Sequence, residues 1–307
     1  MTPPKPVLTL QLSSPLRPQI ETALDLLLPS VQTQPETLHR ALRYAVLTSG
    51  KRMRPQFLLR VAQACGAKAA DLDLALRAAC ALELVHIASL VHDDLPCFDN
   101  ATHRRGQPTV HVLFGESLAV LVGDALLTRS FELIMDAPRS HAPRALRIGR
   151  ELARAAGSSC GLVASQGLEV CALSPSDTES AAVYHVVKTG ALFGMAAASG
   201  AIAAGSRQID EWFRFGLLVG QGYQWVHSLH ELPLRSGSPS VDSLSVQALA
   251  PSVRDVLKQQ LSTLAGSVQR QLDGLAVQPT PLADFLTALW SPLLASPLRG
   301  ESHASEP

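Results

Sequence analysis

The amino-acid sequence predicts an all-α protein with a single domain. Apolar residues recur three and four positions apart along most of the chain, the spacing that keeps them on one face of an α-helix. No convincing run of alternating apolar and polar residues, the pattern of a half-buried strand, interrupts this periodicity. The 307 residues, 47% of them hydrophobic, are also sufficient to bury one large core.

The first predicted element is a flexible N-terminal arm over residues 1–18, where prolines interrupt the apolar segment that a secretory signal needs. The helical domain is predicted over 19–295. Its first clear helix follows Thr33-Gln34-Pro35-Glu36, which has the spacing of a capping box, and continues to Gly50. Further helices are predicted over 69–92, 118–134, 142–156, 178–204, 208–229 and 251–275.

Three other segments have a distinctive composition. Glycine, serine and proline predict a long loop over 236–252, and 296–307 is predicted to be a disordered tail. Residues 189–206 carry no charge and are nearly long enough to span a bilayer, but they consist largely of alanine and glycine. We therefore expect close helix packing in a soluble core there, and no membrane span.

Charge and cysteine content narrow the class of protein. Lys+Arg and Asp+Glu both total 26, so the net charge supports neither nucleic-acid binding nor a polybasic membrane patch. The cysteines number five and form no C-x-x-C pair. A reduced, cytoplasmic protein is the simplest interpretation.

One acidic turn carries the strongest functional signal. Asp93, Asp94 and Asp99 are followed closely by Arg104 and Arg105. Mg²⁺ is usually held by one or two carboxylates together with substrate phosphates, and an arginine fork pairs with phosphate oxygens. Adjacent aspartates at the C-terminal end of an apolar helix also repel each other and face its negative dipole, a penalty that a bound cation removes. The pattern indicates a metal and diphosphate site.

Five segments in order give the sequence a family resemblance. They are GKRMRP from residue 50, LVHDDLPCFDN from 90, RRGQPTVH from 104, GDALL from 123 and KTGALF from 188. With them, roughly 35–230 resembles the trans-isoprenyl diphosphate synthases. The two extra residues in the aspartate motif, with CFDN, are most similar to bacterial geranylgeranyl diphosphate synthases of carotenoid and photosynthetic-pigment pathways.

The resemblance implies a fold and a reaction. The fold would be an isoprenoid-synthase-type helical bundle around a deep apolar pocket, as a homodimer or as a heterodimer with a homologue. The enzyme would condense isopentenyl diphosphate with an allylic diphosphate, towards geranylgeranyl diphosphate. Mg²⁺ is the implied cofactor, and Mn²⁺ is possible.

For the allylic substrate, the resemblance implies a set of catalytic residues. Asp93, Asp94 and Asp99 would hold Mg²⁺, with Arg104 and Lys188 on the phosphate oxygens. Preorganised cations stabilise the charge that builds on the departing diphosphate as the carbon–oxygen bond breaks. These residues are the predicted catalytic centre.

For isopentenyl diphosphate, the resemblance implies binding by Lys51, Arg54, His86 and Arg105. Each has a competing structural role. Lys51 and Arg54 could cap a helix end, and His86 taken alone fits a satisfied core histidine. The position of His86 two helical turns before the first aspartate, which matches the family, favours the binding role.

The resemblance further implies that Gln166, Thr189 and Gln224 contact the substrates. Gln166 and Glu169 match a family Gln-x-x-Asp, with glutamate in place of the aspartate. That substitution keeps the charge and moves it by one methylene.

Product length in the family depends on residues just before the first aspartates. Ala88 lies five residues before Asp93, about one and a half helical turns, and Ser89 follows it. Because neither side chain is large, we expect the pocket to admit a product longer than farnesyl.

The sequence departs from the family at the second aspartate motif. His227, Ser228 and Glu231 stand where three aspartates are usual, and no lysine occurs in the following 236–252. Neutral imidazole is a poor Mg²⁺ ligand, so simple degeneration is one interpretation. A softer metal such as Mn²⁺, Fe²⁺ or Zn²⁺ at His227, His230 and Glu231 is the other.

Two function classes stay open at this point. The chain is either a prenyltransferase working with a depleted second wall, or a catalytically weak homologue that binds diphosphate or modulates an active partner subunit. A third hypothesis takes His92 and Asp93 as the metal pair of an HD-type phosphohydrolase. It does not explain the ordered GKRMRP, RRGQPT and KTG segments.

Overall fold

The polypeptide forms α-helices joined mostly by short connections. The structure, a computed structural model, describes residues 8–48, 50–171, 189–230 and 251–294, without the side chains of 225–230, 251–258 and 291–294. The α-helices within these ranges are, in chain order, α1 (Leu16–Leu27), α2 (Glu36–Leu47), α3 (Met53–Ala64), α4 (Leu72–Asp93), α5 (Val110–Phe114), α6 (Glu116–Met135), α7 (Ala142–Ala156), α8 (Leu162–Val170), α9 (Ala191–Ala204), α10 (Ile209–His230), α11 (Pro251–Leu275) and α12 (Thr280–Leu294). Short 3-10 turns, Ala69–Asp71 and Arg139–His141, precede α4 and α7. The predicted all-α class is confirmed.

The centre of the bundle is α4. This helix of 22 residues is apolar all round, and it packs against α3, α6 and α9. By length and composition Ala69–Asp93 could cross a membrane, but 89% of its most apolar 18-residue segment is buried inside the fold. We therefore assign it as the core helix of the bundle.

Small residues bring α9 close to its neighbours, as the composition of 189–206 predicts. A Cβ added at Gly200 would lie 2.5 Å from the carbonyl oxygen of Leu58 in α3. A Cβ at Gly216 of α10 would collide with the carbonyl oxygen of Phe193. Glycine thus permits backbone contact between these helices.

A similar close approach joins α4 to α6. The imidazole of His92 lies over Gly123, where any Cβ would collide with the ring. His92 Nε2 is also 3.4 Å from the carbonyl oxygen of Val120. The glycine of the GDALL segment therefore provides the slot for the residue that precedes Asp93.

The start of α2 differs from the sequence prediction. Thr33 does not cap the helix: its hydroxyl donates to the carbonyl oxygen of Ser30 at 2.7 Å. Pro35 occupies the N-cap position, and no side-chain hydrogen bond caps α2. The capping-box prediction was wrong because proline at the cap position offers no side-chain acceptor.

Part of the predicted N-terminal arm is packed. Leu8 and Leu10 are buried, and the backbone N–H of Leu8 donates to Asp73 Oδ1 at 3.3 Å. Helix α1 begins at Leu16, with Pro18 in its first turn, where proline removes no intrahelical hydrogen bond. Two of the prolines in the predicted arm, Pro15 and Pro18, thus flank a helix start.

Predicted helix boundaries agree with α4, α6, α7, α10 and α11 to within three residues at either end. Of the predicted helix 178–204, residues 178–188 lie outside the described residues. The same holds for 236–250 of the predicted loop and for the predicted tail 296–307. Residues 251–252, which the predicted loop shares with the predicted helix 251–275, begin α11, where proline is favoured at a helix start.

Candidate active site

The acidic turn folds back on the end of α4. Asp93 is the last residue of this helix, and its backbone carbonyl accepts a hydrogen bond from the N–H of Asp99 at 2.9 Å. Gln166 Nε2 donates to Asp93 Oδ1 at 2.8 Å and lies 3.3 Å from the carbonyl oxygen of Ser89. Helix α8 therefore orients the first aspartate, and Gln166 lies within the predicted site.

Asp94 is arranged differently from the metal ligand that the sequence predicts. It is buried, and Arg104 donates to its Oδ1 from Nε at 2.8 Å and from Nη2 at 2.7 Å. Burial alone would lower the pKa of Arg104, but its hydrogen bond to Asp94 and the charges of Asp94, Asp93 and Asp99 raise it. Arg104 thus holds Asp94 instead of standing free for a phosphate.

A short hairpin presents the two arginines. Strands β1 (His103–Arg104) and β2 (Gln107–Pro108) pair antiparallel, a local exception to the prediction of no strand. Arg105 and Gly106 form the turn with φ of 52° and 77°, a left-handed pair typical of tight hairpins. Tyr44 of α2 donates to the carbonyl oxygen of Pro108 at 2.6 Å and anchors the hairpin.

A cationic cluster lies about two helical turns before Asp93. It is defined here as Arg54 of α3, His86 of α4 and Arg105 of the hairpin turn. Arg54 Nη1 is 3.2 Å from His86 Nε2. Burial lowers the pKa of His86 well below its ordinary value, and the nearby arginines, first Arg54 and then Arg105, lower it further. The imidazole is therefore neutral near pH 7 and accepts the hydrogen bond from Arg54. This contact favours the binding role of Arg54 and His86 over the competing roles of a helix cap and a core histidine.

Aromatic rings complete the surroundings of Arg54. Its guanidinium carbon lies 5.3 Å from the ring centroid of Phe193 and 5.8 Å from that of Tyr223. Cation–π contacts of this kind stabilise a partly desolvated charge by about 0.5–2 kcal/mol. Lys51 is exposed at the same end of α3, so its amine is accessible to an anion.

Other predicted substrate residues lie at the start of α9 and in α10. Thr189 is buried, and its hydroxyl donates to Gln224 Oε1 at 2.7 Å. This contact joins the KTG segment to Gln224, which follows Tyr223 in α10. Lys188 and Glu231 lie outside the described residues, and His227 and Ser228 are on the last turn of α10, where side chains are not described. Their predicted roles stay predictions.

The predicted chain-length residues lie within the buried part of α4. Ala88 has no accessible surface, whereas Ser89 is 9% exposed and its hydroxyl donates to the carbonyl oxygen of His86. Ala88 therefore packs against protein here and does not face an open pocket. A long product tail would contact it only after neighbouring side chains shift.

The donors present fit Mg²⁺. Among the residues that the structure describes, no three of His, Cys, Asp and Glu converge on one point. Asp93 and Asp99 still offer hard carboxylate oxygens, while Asp94 is engaged by Arg104. Mg²⁺ commonly takes only one or two carboxylates and completes its octahedron with substrate phosphates and water.

Two features were not predicted from the sequence: Tyr44, and the buried ion pair between Arg52 and Glu83. A signal existed for the second, because Glu83 is the single acid in the apolar stretch before His92. Nothing in the sequence distinguishes Tyr44 from any other half-buried aromatic residue of a helix.

Comparison with known proteins identifies the family. The model of the polyprenyl synthetase family matches residues 35–227. The chain belongs to this family. It is 39% identical over 244 residues to a geranylgeranyl diphosphate synthase of Rhodobacter capsulatus, covering 75% of this chain and 82% of that relative. It is 46% identical over 197 residues to one of Cereibacter sphaeroides, covering 64% of this chain and 66% of the relative.

Solved structures agree with the fold. A geranyltransferase from Helicobacter pylori superposes with a TM-score of 0.76 at 28% identity, covering 90% of this chain and 95% of that one. The same enzyme complexed with magnesium and isoprenyl diphosphate gives a TM-score of 0.72 at 29% identity, covering 91% and 95%. The isoprenoid synthase fold and the family's use of a divalent metal follow.

Proposed function

We propose that this member of the polyprenyl synthetase family is a prenyltransferase that condenses isopentenyl diphosphate with an allylic diphosphate, towards geranylgeranyl diphosphate. The observation that carries the proposal is the placement of two opposite electrostatic environments on α4. His86, in the cationic cluster, and Asp93, in the acidic turn, are seven residues apart, roughly 10 Å along the helix. Two diphosphates can therefore bind side by side, one on cations and the other through a metal.

We assign the two sites as follows. Lys51, Arg54 and Arg105 bind the diphosphate of isopentenyl diphosphate, with neutral His86 keeping the Arg54 fork aimed. Asp93 and Asp99 would hold Mg²⁺, for which Mn²⁺ is a possible substitute. The bound ion supplies positive charge for the departing allylic diphosphate.

The proposed reaction has three steps. The allylic carbon–oxygen bond breaks and releases diphosphate, the double bond of isopentenyl diphosphate attacks the allylic carbon, and the proton lost from the resulting carbocation passes to the released diphosphate. Arg104 stabilises the turn through Asp94, and Gln166 orients Asp93. Thr189 and Gln224, hydrogen-bonded to each other, are proposed to contact substrate beside Lys188.

We also propose a dimer, of two copies or with a homologue, and a cytoplasmic location. An apolar group on α5 and α6 supports an association surface: Val112, Leu113, Val120 and Leu121, each between 43% and 49% exposed. Exposed apolar patches often mark protein contacts. Light scattering of the purified protein gives the oligomeric state, and a monomer at micromolar concentration would contradict the dimer.

One assay tests the proposed function. Purified protein is incubated with Mg²⁺, labelled isopentenyl diphosphate and each allylic diphosphate in turn, and the extracted products are sized. We expect a geranylgeranyl-length product that is lost with EDTA. Diphosphate binding without any product would instead identify a binding subunit, and phosphate release that does not depend on isopentenyl diphosphate would indicate a hydrolase.

A further inference from the structure

A buried ion pair lies beside the cationic cluster. Arg52 Nη1 donates to Glu83 Oε1 at 3.0 Å, and the two side chains are 1% and 4% exposed. An unpaired charge at this depth would be strongly destabilising, so each residue depends on the other. Neither residue belongs to the substrate sites assigned above.

The Arg52 guanidinium joins several elements. Besides Glu83 of α4, it donates through Nη2 to the carbonyl oxygen of Val46 in α2. Its Nε lies 3.6 Å from Glu21 Oε1 in α1. Arg52 itself immediately precedes α3, so one side chain connects the start of α3 to three other helices.

The backbone around Arg52 is shaped to this contact. Arg52 has φ 51° and ψ 38°, in the left-handed region, which is strained for a residue that carries a Cβ. Gly50 has φ 151°, and a Cβ there would lie 2.8 Å from Arg52 Nη1 and 3.3 Å from Arg105 Nη1. Residues 50–52 therefore wrap around the guanidinium and place Arg105 alongside.

Both partners adjoin residues of the isopentenyl diphosphate site. Arg52 stands between Lys51 and Arg54, and Glu83 lies one helical turn before His86 on the same face of α4. A change in the ion pair therefore moves the start of α3 relative to His86. Burial lowers the pKa of Arg54, whereas Tyr223 and then Glu83 raise it. The charge of Glu83 thus favours the protonated form of Arg54.

We propose that Arg52, through its forked contacts to Glu83 and Val46, is the positioning residue that fixes Lys51 and Arg54 against His86 for binding the diphosphate of isopentenyl diphosphate. This role rests on the proposed function. Lysine carries the same charge but lacks the planar fork, so it cannot replace these contacts.

The first experiment compares Arg52→Lys with a matched control, Arg77→Lys. Arg77 is a buried arginine on α4, 4% exposed, whose Nε donates to Asp73 Oδ2 at 2.8 Å far from the cationic cluster. Arg52→Lys should raise the KM for isopentenyl diphosphate about tenfold, with the allylic KM and kcat changed less than about twofold. Arg77→Lys should lower the melting temperature without changing either KM.

A second measurement does not depend on turnover. Calorimetric titration with inorganic diphosphate, without metal, should give about tenfold weaker binding for Arg52→Lys and unchanged binding for Arg77→Lys. Glu83→Gln, which removes the charge but keeps an acceptor, should weaken binding similarly. Tighter binding in Glu83→Gln would show that Glu83 merely opposes the anion, and would overturn the positioning role.

The two proposals fail in different ways. A wild type that makes no product but loses diphosphate affinity on Arg52→Lys contradicts the prenyltransferase and leaves the positioning role standing. A wild type that is active, with unchanged KM and diphosphate affinity in Arg52→Lys, overturns the positioning role alone. If Arg52→Lys does not fold, Glu83→Asp, which keeps the charge and shortens the reach, makes the same comparison.

Discussion

Two regions of one helix, α4, meet diphosphate by opposite means. Around His86, Arg52 is buried and pairs with Glu83, Arg54 is half-buried against aromatic rings, and Lys51 and Arg105 are exposed. Around Asp93, negative charges accumulate at a helix end, where Arg104 pairs with Asp94 and Gln166 donates to Asp93. The cationic region is thus assembled before any ligand binds, whereas the acidic region gains most from an added cation.

The largest expected effect comes from removing a carboxylate of the acidic region. Asp93→Ala should weaken Mg²⁺-dependent binding of an allylic diphosphate by about 1.5–3 kcal/mol, roughly 10- to 150-fold, as for a lost charge-assisted contact. Asp99→Ala should behave alike. Asp94→Asn should change metal affinity less, because Arg104 already engages that carboxylate. Calorimetry gives all three values, and unchanged binding in Asp93→Ala and Asp99→Ala would remove the metal clamp.

The next effect concerns the second motif, where His227, Ser228 and Glu231 stand in place of aspartates. If the second motif is simply degenerate, aspartates introduced at His227, Ser228 and Glu231 should raise Mg²⁺-dependent turnover, because carboxylates bring metal to the leaving diphosphate. If the histidines hold a softer metal, the wild type should already be active with Mn²⁺ or Zn²⁺, and the triple change should abolish that activity. High wild-type turnover with Mg²⁺ would show that one acidic wall suffices.

A third change lies between the two regions. Ala88→Phe should shorten the product, because the added ring would push neighbouring side chains towards the space that the growing tail needs. Because Ala88 is completely buried, overpacking should also destabilise the fold by about 1–3 kcal/mol. Product sizing, with a melting curve as the folding control, tests this. The same product distribution in a folded variant would assign the floor to another residue.

The smallest effect tests the neutral state of His86. Its folded pKa is well below the value of about 6.5 expected when unfolded, so below that pH the unfolded state binds the extra proton. Stability should therefore fall as pH drops below about 6.5, by at most ~1.4 kcal/mol per pH unit from this residue. Urea unfolding between pH 7.5 and 5.5 measures it. His86→Gln should flatten the slope, and an unchanged slope would contradict the assignment.

The helical class was predictable because its signal is repeated over many residues. The boundaries of α4, α6 and α7 follow from apolar spacing and agree with the structure. Helices α1, α3, α5, α8 and α12 were not predicted individually. Prolines lie near the starts of α1, α3 and α12, and they look like helix breakers until the packing is known.

The site was predictable by residue type and less so by contact. The resemblance named Asp93, Asp94 and Arg104, and they are adjacent in the structure. Which aspartate an arginine engages depends on the hairpin turn at Arg105 and Gly106, and a list of charges does not contain that geometry. The role of Arg52 required the same knowledge, since its partners are 6 and 31 residues away.

The fit of His92 over Gly123 constrains the order in which this sequence can change. No side chain fits at position 123 while the imidazole occupies the slot. A substitution there is tolerated only after residue 92 has become smaller or has turned away. Positions 92 and 123 are therefore expected to vary together among descendants of this sequence.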